Sequence, residues 1–274
     1  MTPLILMVAP NGARRGKADH PNLPLTPDEI AREAALCCEA GATVLHLHVR
    51  TSGGEHALDP ALYREAISAV RHAVGDRMVI QTTTEAVGRY APKEQMQAVR
   101  ELHPEAVSLG LRELIPEGGD PAEAAAFFQW LRQEGIAPQY ILYTPSEVAD
   151  FQALRRQGVI PQARPFVLFV LGRYGDTPTE VCPRDLLGFL DAFDPGLPWA
   201  LCAFGAIESA CVLTAAGLGG HARVGFENNL WLADGALAGS NADLVAQVRR
   251  ALPLLGREPA DIETTRALLA ETAR

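Results

Sequence analysis

The chain has 274 residues, of which 48% are hydrophobic and 21% charged, a composition typical of folded globular proteins. This balance excludes a disordered, collagen-like or coiled-coil chain, and the length suffices for one large barrel domain with a single core. The formal net charge of −9, without a basic tail or run, argues against nucleic acid or an anionic membrane surface as a partner.

The N-terminal run from Leu4 to Ala9 is apolar, but no basic region precedes it and Pro10 follows at once. The run is too short for a signal peptide or a membrane span, so we interpret it as a buried strand. The five cysteines form no CxxC pair, and an odd count without a secretion signal predicts a reducing, cytoplasmic location.

Short apolar runs alternate with segments of helical periodicity along the whole chain, which is typical of an α/β protein. Thr26, Pro27 and Glu29 supply an N-cap, a first-turn proline and a favourable acid, and Gly41 ends the segment, so the first helix is predicted over 27–40. Proline also predicts helix starts at Ala91-Pro92, Asp120-Pro121, Thr144-Pro145 and Cys182-Pro183.

Eight apolar runs qualify as strands, and each precedes a predicted helix. They are 3–8, 43–49, 78–82, 106–110, 139–143, 165–171, 198–203 and 222–226. No linker or composition break divides the chain. The count therefore favours a single-domain (β/α)8 barrel, a TIM barrel, over residues 1–274, with its chemistry in the loops that follow the strands.

The second predicted strand carries a candidate metal site. His46, His48 and Arg50 alternate with aliphatic residues, so a strand places all three on one side. Two imidazoles one strand period apart can bind one ion, although an isolated pair is equally compatible with core histidines. Their predicted position at the C-terminal end of a strand favours the metal.

A third ligand is expected from a strand end nearby in the barrel. The second and eighth strands both flank the first, so Glu227, which follows the eighth strand, can face the same mouth. Taken alone, a glutamate such as Glu227 is more often a surface acid or a helix cap. Two histidines and one carboxylate leave positions open for substrate, which indicates a catalytic site with zinc as the first choice among divalent ions.

Four segments resemble the β-keto acid cleavage enzyme family, and the similarity covers nearly the whole chain. They are HPNLP at 20–24, GATVLHLHVR at 41–50, FVLG at 169–172 and GGHARVGFENN at 219–229. The resemblance implies a zinc-dependent homotetrameric barrel that condenses a β-keto acid with acetyl-CoA. Transfer of CoA and a retro-Claisen step then release acetoacetate and a new acyl-CoA.

The resemblance also implies roles for single residues. The three metal-ligand candidates match the ligands of the family, and Arg223 matches an arginine that stands beside them. Thr83 and Ser108 match hydroxyl residues that hold the substrate. The alternative is that Arg223 only pairs with a carboxylate and that the two hydroxyl residues are ordinary strand residues.

Asn228 departs from the family pattern, because family members carry there an acid that is credited with base catalysis. An amide has no pKa with which to accept a proton near neutrality. Glu85 stands where the family has a glycine, and we take it as a hypothetical substitute base, with a plain loop acid as the alternative. The segment from Gly205 to Ile207 also departs, which predicts a different pocket wall.

A third departure concerns charge, because Arg14 stands where amino-substrate members carry a glutamate. Arg112 and Arg173 also follow predicted strands at the same face, so up to three guanidiniums would meet a carboxylate or CoA phosphates. This pattern predicts a β-keto acid with an anionic or polar tail. Simple rim salt bridges are the alternative.

Two other functions stay open at this stage. One is a metal-dependent hydrolase or aldolase on the same barrel, and the other is a metal-holding or ligand-binding homologue with impaired catalysis, which Asn228 would permit. Among the other histidines, His56, His72 and His103 are predicted to lie away from the barrel mouth, and His221 at its opposite end.

Overall fold

The structure is a computed structural model that describes residues 2–173 and 181–274. Its strands are β1 (Leu6–Val8), β2 (Val44–Leu47), β3 (Val49–Arg50), β4 (His56–Ala57), β5 (Val79–Thr83), β6 (Ala106–Gly110), β7 (Ala137–Leu142), β8 (Phe166–Leu171), β9 (Trp199–Ala203) and β10 (His221–Val224). Eight of them, all parallel, close into a barrel in the order β1, β2, β5, β6, β7, β8, β9, β10. The predicted TIM barrel is confirmed.

Helices follow the barrel strands and form its outer layer. They are α1 (Pro27–Ala40), α2 (Pro60–Val74), α3 (Pro92–Leu102), α4 (Leu111–Leu114), α5 (Ala122–Glu134), α6 (Pro145–Arg156), α7 (Leu186–Ala192), α8 (Glu208–Gly217), α9 (Asn241–Ala251) and α10 (Ile262–Ala273). Within the described ranges, no helix combines the length and the apolarity that a bilayer crossing needs.

Local sequence chemistry sets the helix boundaries. In α1 the Thr26 hydroxyl accepts the Glu29 N–H at 3.3 Å and the Glu29 carboxylate accepts the Thr26 N–H at 3.2 Å, a capping box that fixes the predicted start. Gly41 ends α1 with φ of 112°, a conformation that side chains disfavour. Two starts differ from the prediction: α5 begins one residue after Pro121, and Pro183 opens a 3₁₀ turn ahead of α7.

The strand register brings the predicted ligands together across β1. Met7 of β1 pairs with Val44 of β2 on one side and with Arg223 of β10 on the other. The C-terminal ends of β2 and β10 therefore lie one strand apart at the same mouth. This explains how His46 and Glu227, which are far apart in sequence, meet in space.

Apolar side chains fill the barrel and close its lower end. Met7, Phe166 and Leu168 pack inside the barrel in one cluster with Leu269 of α10. The Thr265 hydroxyl of α10 donates to Thr43, just before β2, at 2.8 Å. Helix α10 thus lies across the end of the barrel opposite the mouth, and access to the interior is left to the mouth.

A short hairpin that sequence reasoning did not predict interrupts the path from β2 to α2. The predicted strand 43–49 ends at Leu47, and β3 pairs with β4 in an antiparallel register of Val49 with Ala57. The hairpin buries His56, whose ring centroid lies 5.2 Å from that of His48. The prediction that His56 lies away from the mouth was wrong.

Candidate active site

Three candidate ligands converge at the mouth of the barrel. The Nε2 atoms of His46 and His48 are 3.0 Å apart, and Glu227 Oε2 lies 3.5 Å from the first and 3.4 Å from the second. Both imidazoles are buried, and Glu227 is nearly so. The three residues form a group that can hold one metal ion.

The surroundings of His46 keep the lone pair of its Nε2 atom available to bind a metal ion. Burial, followed by the nearby charge of Arg223, lowers the pKa of His46 to about 3, so this imidazole is neutral near pH 7. Its Nδ1 lies 2.9 Å from the side-chain Oε1 of Gln81, and the Nε2 of Gln81 in turn donates to Gln139 Oε1 at 3.2 Å. A proton on Nδ1 therefore leaves the Nε2 lone pair facing His48.

Glu227 supplies the negative charge of the centre. Burial alone would raise its pKa, but the combined effect of Arg223, His48 and His46 holds the pKa well below the ordinary range. Among the described residues, its buried Oε2 atom has no hydrogen-bond partner. A buried carboxylate oxygen without a partner beside two imidazoles fits a divalent cation such as zinc, which binds two histidines and one carboxylate in catalytic sites.

Two glycines fix the position of Glu227. Gly12 has φ of +60°, and a Cβ built on it would lie 2.5 Å from Glu227 Cγ. Gly225 has φ of +138°, and a Cβ there would lie 2.3 Å from the Ala9 carbonyl oxygen. A side chain at Gly12 would displace the Glu227 side chain, and a side chain at Gly225 would collide with the backbone of Ala9.

Arg223 lies next to the three ligands as a buried cation. Its Nη2 is 3.4 Å from Glu227 Oε1 and 3.3 Å from Cys202 Sγ. Its Nε and Nη1 atoms are buried and have no hydrogen-bond partner in the part of the chain that the structure describes. Burial lowers the pKa of the guanidinium, but Cys202 and Glu227 together raise it above the ordinary value. The cation thus keeps N–H donors for an anion that is not part of the protein.

A cavity of about 390 Å³ opens above these residues. Its wall is polar on the β5 and β6 side and more apolar on the side of β7 to β9. It is lined by His46, Thr83, Glu85, Gly110, Glu113, Ile141, Tyr143, Val170, Arg173, Phe204, Arg223 and Glu227.

Glu85 stands in this wall between a cation and a histidine. Its Oε1 pairs with Arg173 Nη2 at 2.8 Å, and its Oε2 lies 3.9 Å from His48 Nδ1. Thr83 also lines the cavity, and its hydroxyl accepts the Glu85 N–H at 3.1 Å. Ser108 is buried beside Thr83 as its partner in the β5–β6 register.

The three predicted guanidiniums do not share one environment. Arg173 lines the cavity, pairs with Glu85 and stacks over Phe204 at 4.8 Å. Arg112 makes a short ion pair with Glu147 and lies over the ring of Tyr143. Arg14 is exposed.

Arg15, next in sequence to Arg14, reaches the loop that carries Glu227. It donates to the Phe226 carbonyl at 2.6 Å and to the Asn228 carbonyl at 3.3 Å. The role predicted for Arg14 at the substrate stays a prediction, and the arginine that holds this loop is Arg15. The amide side chain of Asn228 is buried, and within the described residues neither of its polar atoms has a hydrogen-bond partner.

Sequence reasoning also missed Glu113 and Tyr143 as cavity residues. Glu113 accepts the Ala86 N–H at 3.0 Å, and burial raises its pKa. Its position just after the fourth barrel strand, in the short helix α4, was the available signal. His221 lies at the far end, as predicted, where its Nδ1 accepts the Ile5 N–H at 3.0 Å.

Comparison with known proteins agrees with this geometry. The family described as beta-keto acid cleavage enzyme matches residues 3–270. The 3-keto-5-aminohexanoate cleavage enzyme of Fusobacterium nucleatum is 33% identical over 98% of either chain. The 3-oxoadipate:acetyl-CoA acetyltransferase of Cupriavidus necator is 29% identical over 97% of this chain and 94% of its own length.

Among solved structures, apo ObcA superposes with a TM-score of 0.71 at 18% identity, over 91% of this chain and 65% of ObcA. This chain thus spans about two thirds of ObcA, and the likeness supports the barrel fold alone. The family match over residues 3–270 and the relative that is 33% identical over 98% of the chain establish the family in addition to the fold. The chain belongs to the β-keto acid cleavage enzyme family.

Proposed function

We propose that this protein is a zinc-dependent transferase that condenses a β-keto acid with acetyl-CoA and yields acetoacetate and a new acyl-CoA. The acetyl-CoA-dependent relative named above supports the co-substrate. The observation that carries the proposal is the pairing of a three-ligand cluster with a buried arginine that has unpartnered N–H groups, in one cavity.

This pairing matches the two functional groups of a β-keto acid. Arg223 Nε and Nη1 would donate to the carboxylate, which satisfies two buried donors. His46, His48 and Glu227 would hold zinc, which when bound supplies a Lewis acid for the keto oxygen. Thr83 and Ser108 would hold the substrate through their hydroxyl groups.

The first chemical step requires a base for the carbon between the keto group and the carboxylate. Two cavity carboxylates are not ligands, and we assign this role to Glu85 because it lies 3.9 Å from His48, whereas Glu113 accepts the Ala86 N–H and Asn228 cannot accept the proton. The carbanion adds to the acetyl carbonyl and CoA leaves as a thiolate. The thiolate then adds to the original keto carbon, and the bond between this carbon and the former carbanion carbon breaks. The released carbanion takes back the proton held by Glu85, which gives acetoacetate and the acyl-CoA.

The charges in the wall bear on the substrate tail. Arg173 and Arg112 already face the carboxylates of Glu85 and Glu147, so a compact polar tail is favoured over a fully anionic one. We further propose a cytoplasmic homotetramer. Trp231 and Leu237 are exposed apolar residues beside each other, which is compatible with association.

The direct test assays acetoacetate formation by metal-analysed protein with acetyl-CoA and β-keto acids of neutral, anionic or cationic tail. The Arg223→Met variant should lose at least about 100-fold in kcat/KM while it retains zinc, because it removes donors to the charged carboxylate. Arg250→Met, on the exposed face of α9, is the matched control.

Each other outcome has a definite meaning. Product formation without acetyl-CoA would indicate the hydrolase or aldolase alternative. Absence of acetoacetate with every acid would refute the transferase and leave a ligand-binding homologue. Full activity of Arg223→Met would refute the role of the buried guanidinium.

A further inference from the structure

The carboxyl group of Glu208 lies under the loop that presents Glu227. Glu208 is the first residue of α8 and is 1% exposed. Its Oε1 accepts the Gly225 N–H at 3.2 Å, and its Oε2 accepts the Asn229 side-chain amide at 3.2 Å. One side chain therefore joins the beginning and the end of the segment 225–229, with the metal-ligand candidate in the middle.

Other groups hold the same segment from different sides. The side-chain Oδ1 of Asn241 accepts the Phe226 N–H at 2.7 Å, and the Glu227 N–H donates to the Ala9 backbone carbonyl at 3.1 Å. These contacts and those of Arg15 fix the inner residues. The Gly225 carbonyl also accepts the Asn228 and Asn229 N–H groups at 2.8 and 2.9 Å, so the backbone of the segment closes on itself. Glu208 is distinct because its two oxygen atoms hold both ends of this turn to the start of α8.

We propose that Glu208 is a positioning residue, which sets the placement of Glu227 by holding the turn from Gly225 to Asn229 against α8. This inference rests on the metal site of the proposed function. Glu208 does not touch the cavity ligands themselves, so it acts only through the loop. The geometry of Glu227 in turn decides metal affinity, because ligand distances tolerate deviations of only about 0.2 Å.

The test compares two substitutions of similar size. Glu208→Met removes both acceptors, whereas Glu208→Gln keeps one. Zinc affinity is measured by competition with a chromogenic chelator, and the coordination geometry is followed by the absorption spectrum of the Co²⁺ form. We expect the zinc Kd of Glu208→Met to rise by about 10–100-fold, the range for groups that orient ligands, and Glu208→Gln to recover most of the loss.

The control separates positioning from stability. Tyr140→Phe removes a buried hydrogen bond of 2.8 Å to Gln162 on the other side of the barrel. It should lower the unfolding temperature and leave the zinc Kd unchanged. A Glu208→Met protein with a zinc Kd within twofold of the wild type would overturn the inference, and so would a Glu208→Gln protein as weak as Glu208→Met. If the wild type itself binds no metal, the proposed function fails first.

Discussion

Gly12→Ala offers a sharp test of the metal centre, because the position combines backbone strain with a clash against one ligand. The new Cβ would lie 2.5 Å from Glu227 Cγ. Carbon atoms in contact prefer about 3.5–4.0 Å, so the Glu227 side chain must withdraw by about 1 Å. That displacement exceeds the tolerance of about 0.2 Å in metal–ligand distances by several fold.

The left-handed conformation adds a separate penalty. Alanine at φ near +60° costs about 1–2 kcal/mol, which would lower the free energy of unfolding of the metal-free protein. Gly256→Ala is a matched control, because Gly256 has φ of +64° and nothing lies near its absent Cβ. The two variants share the strain, but only Gly12→Ala moves Glu227.

We therefore expect similar losses of stability by urea unfolding of the metal-free proteins, and a zinc Kd raised by about 10–100-fold in Gly12→Ala alone. Chelator competition measures the Kd directly. Equal zinc affinity in the two variants would refute the argument that Gly12 keeps Glu227 in place. A loss of affinity in Gly256→Ala would show that general strain, and not the clash, is responsible.

Glu85→Gln should lower turnover by about 100–10,000-fold with zinc content unchanged, and retained turnover would discard Glu85 as the base. Burial raises the pKa of Glu208 to about 8 from 4.5, so its stabilising contribution is complete below pH 4.5 and is lost as the pH rises through 8. The free energy of unfolding, measured with urea from pH 5 to 9, should therefore fall less in Glu208→Gln than in the wild type. Parallel pH dependences of the two proteins would contradict the raised pKa. Arg257→Met should lower the free energy of unfolding by about 3–5 kcal/mol, since backbone carbonyls such as that of Gly220 lose a buried donor; an unchanged urea midpoint would contradict this.

The sequence was sufficient for the barrel and for the three candidate ligands, and the reason is periodicity. Alternation along β2 places His46 on an inward face, and the closure rule for parallel strands places the end of β10 one strand away from it. These relations depend only on the strand period and on the strand count. They do not require knowledge of any loop.

The site residues that sequence analysis missed lie on loops and short turns, where the side chains follow no strand or helix periodicity. Which of Arg14 and Arg15 turns inward depends on the positive φ of Gly12 just before them. His56 reaches the mouth because β3 and β4 fold back, and Glu113 because α4 is a single short turn. Such positions follow from backbone dihedral angles that no local pattern in this chain specifies.

The charges of the centre give a physical reason for its substrate class. Glu227 carries one negative charge and Arg223 beside it carries one positive charge, so the charges of these two side chains cancel. Addition of a divalent cation leaves a net charge of about +2 in a buried cavity, which water cannot screen well. A β-keto carboxylate brings one negative charge, and loss of the proton between its two carbonyl groups develops a second. The site is therefore better matched to the reacting form than to the bound acid, which is the condition for catalysis and not merely for binding.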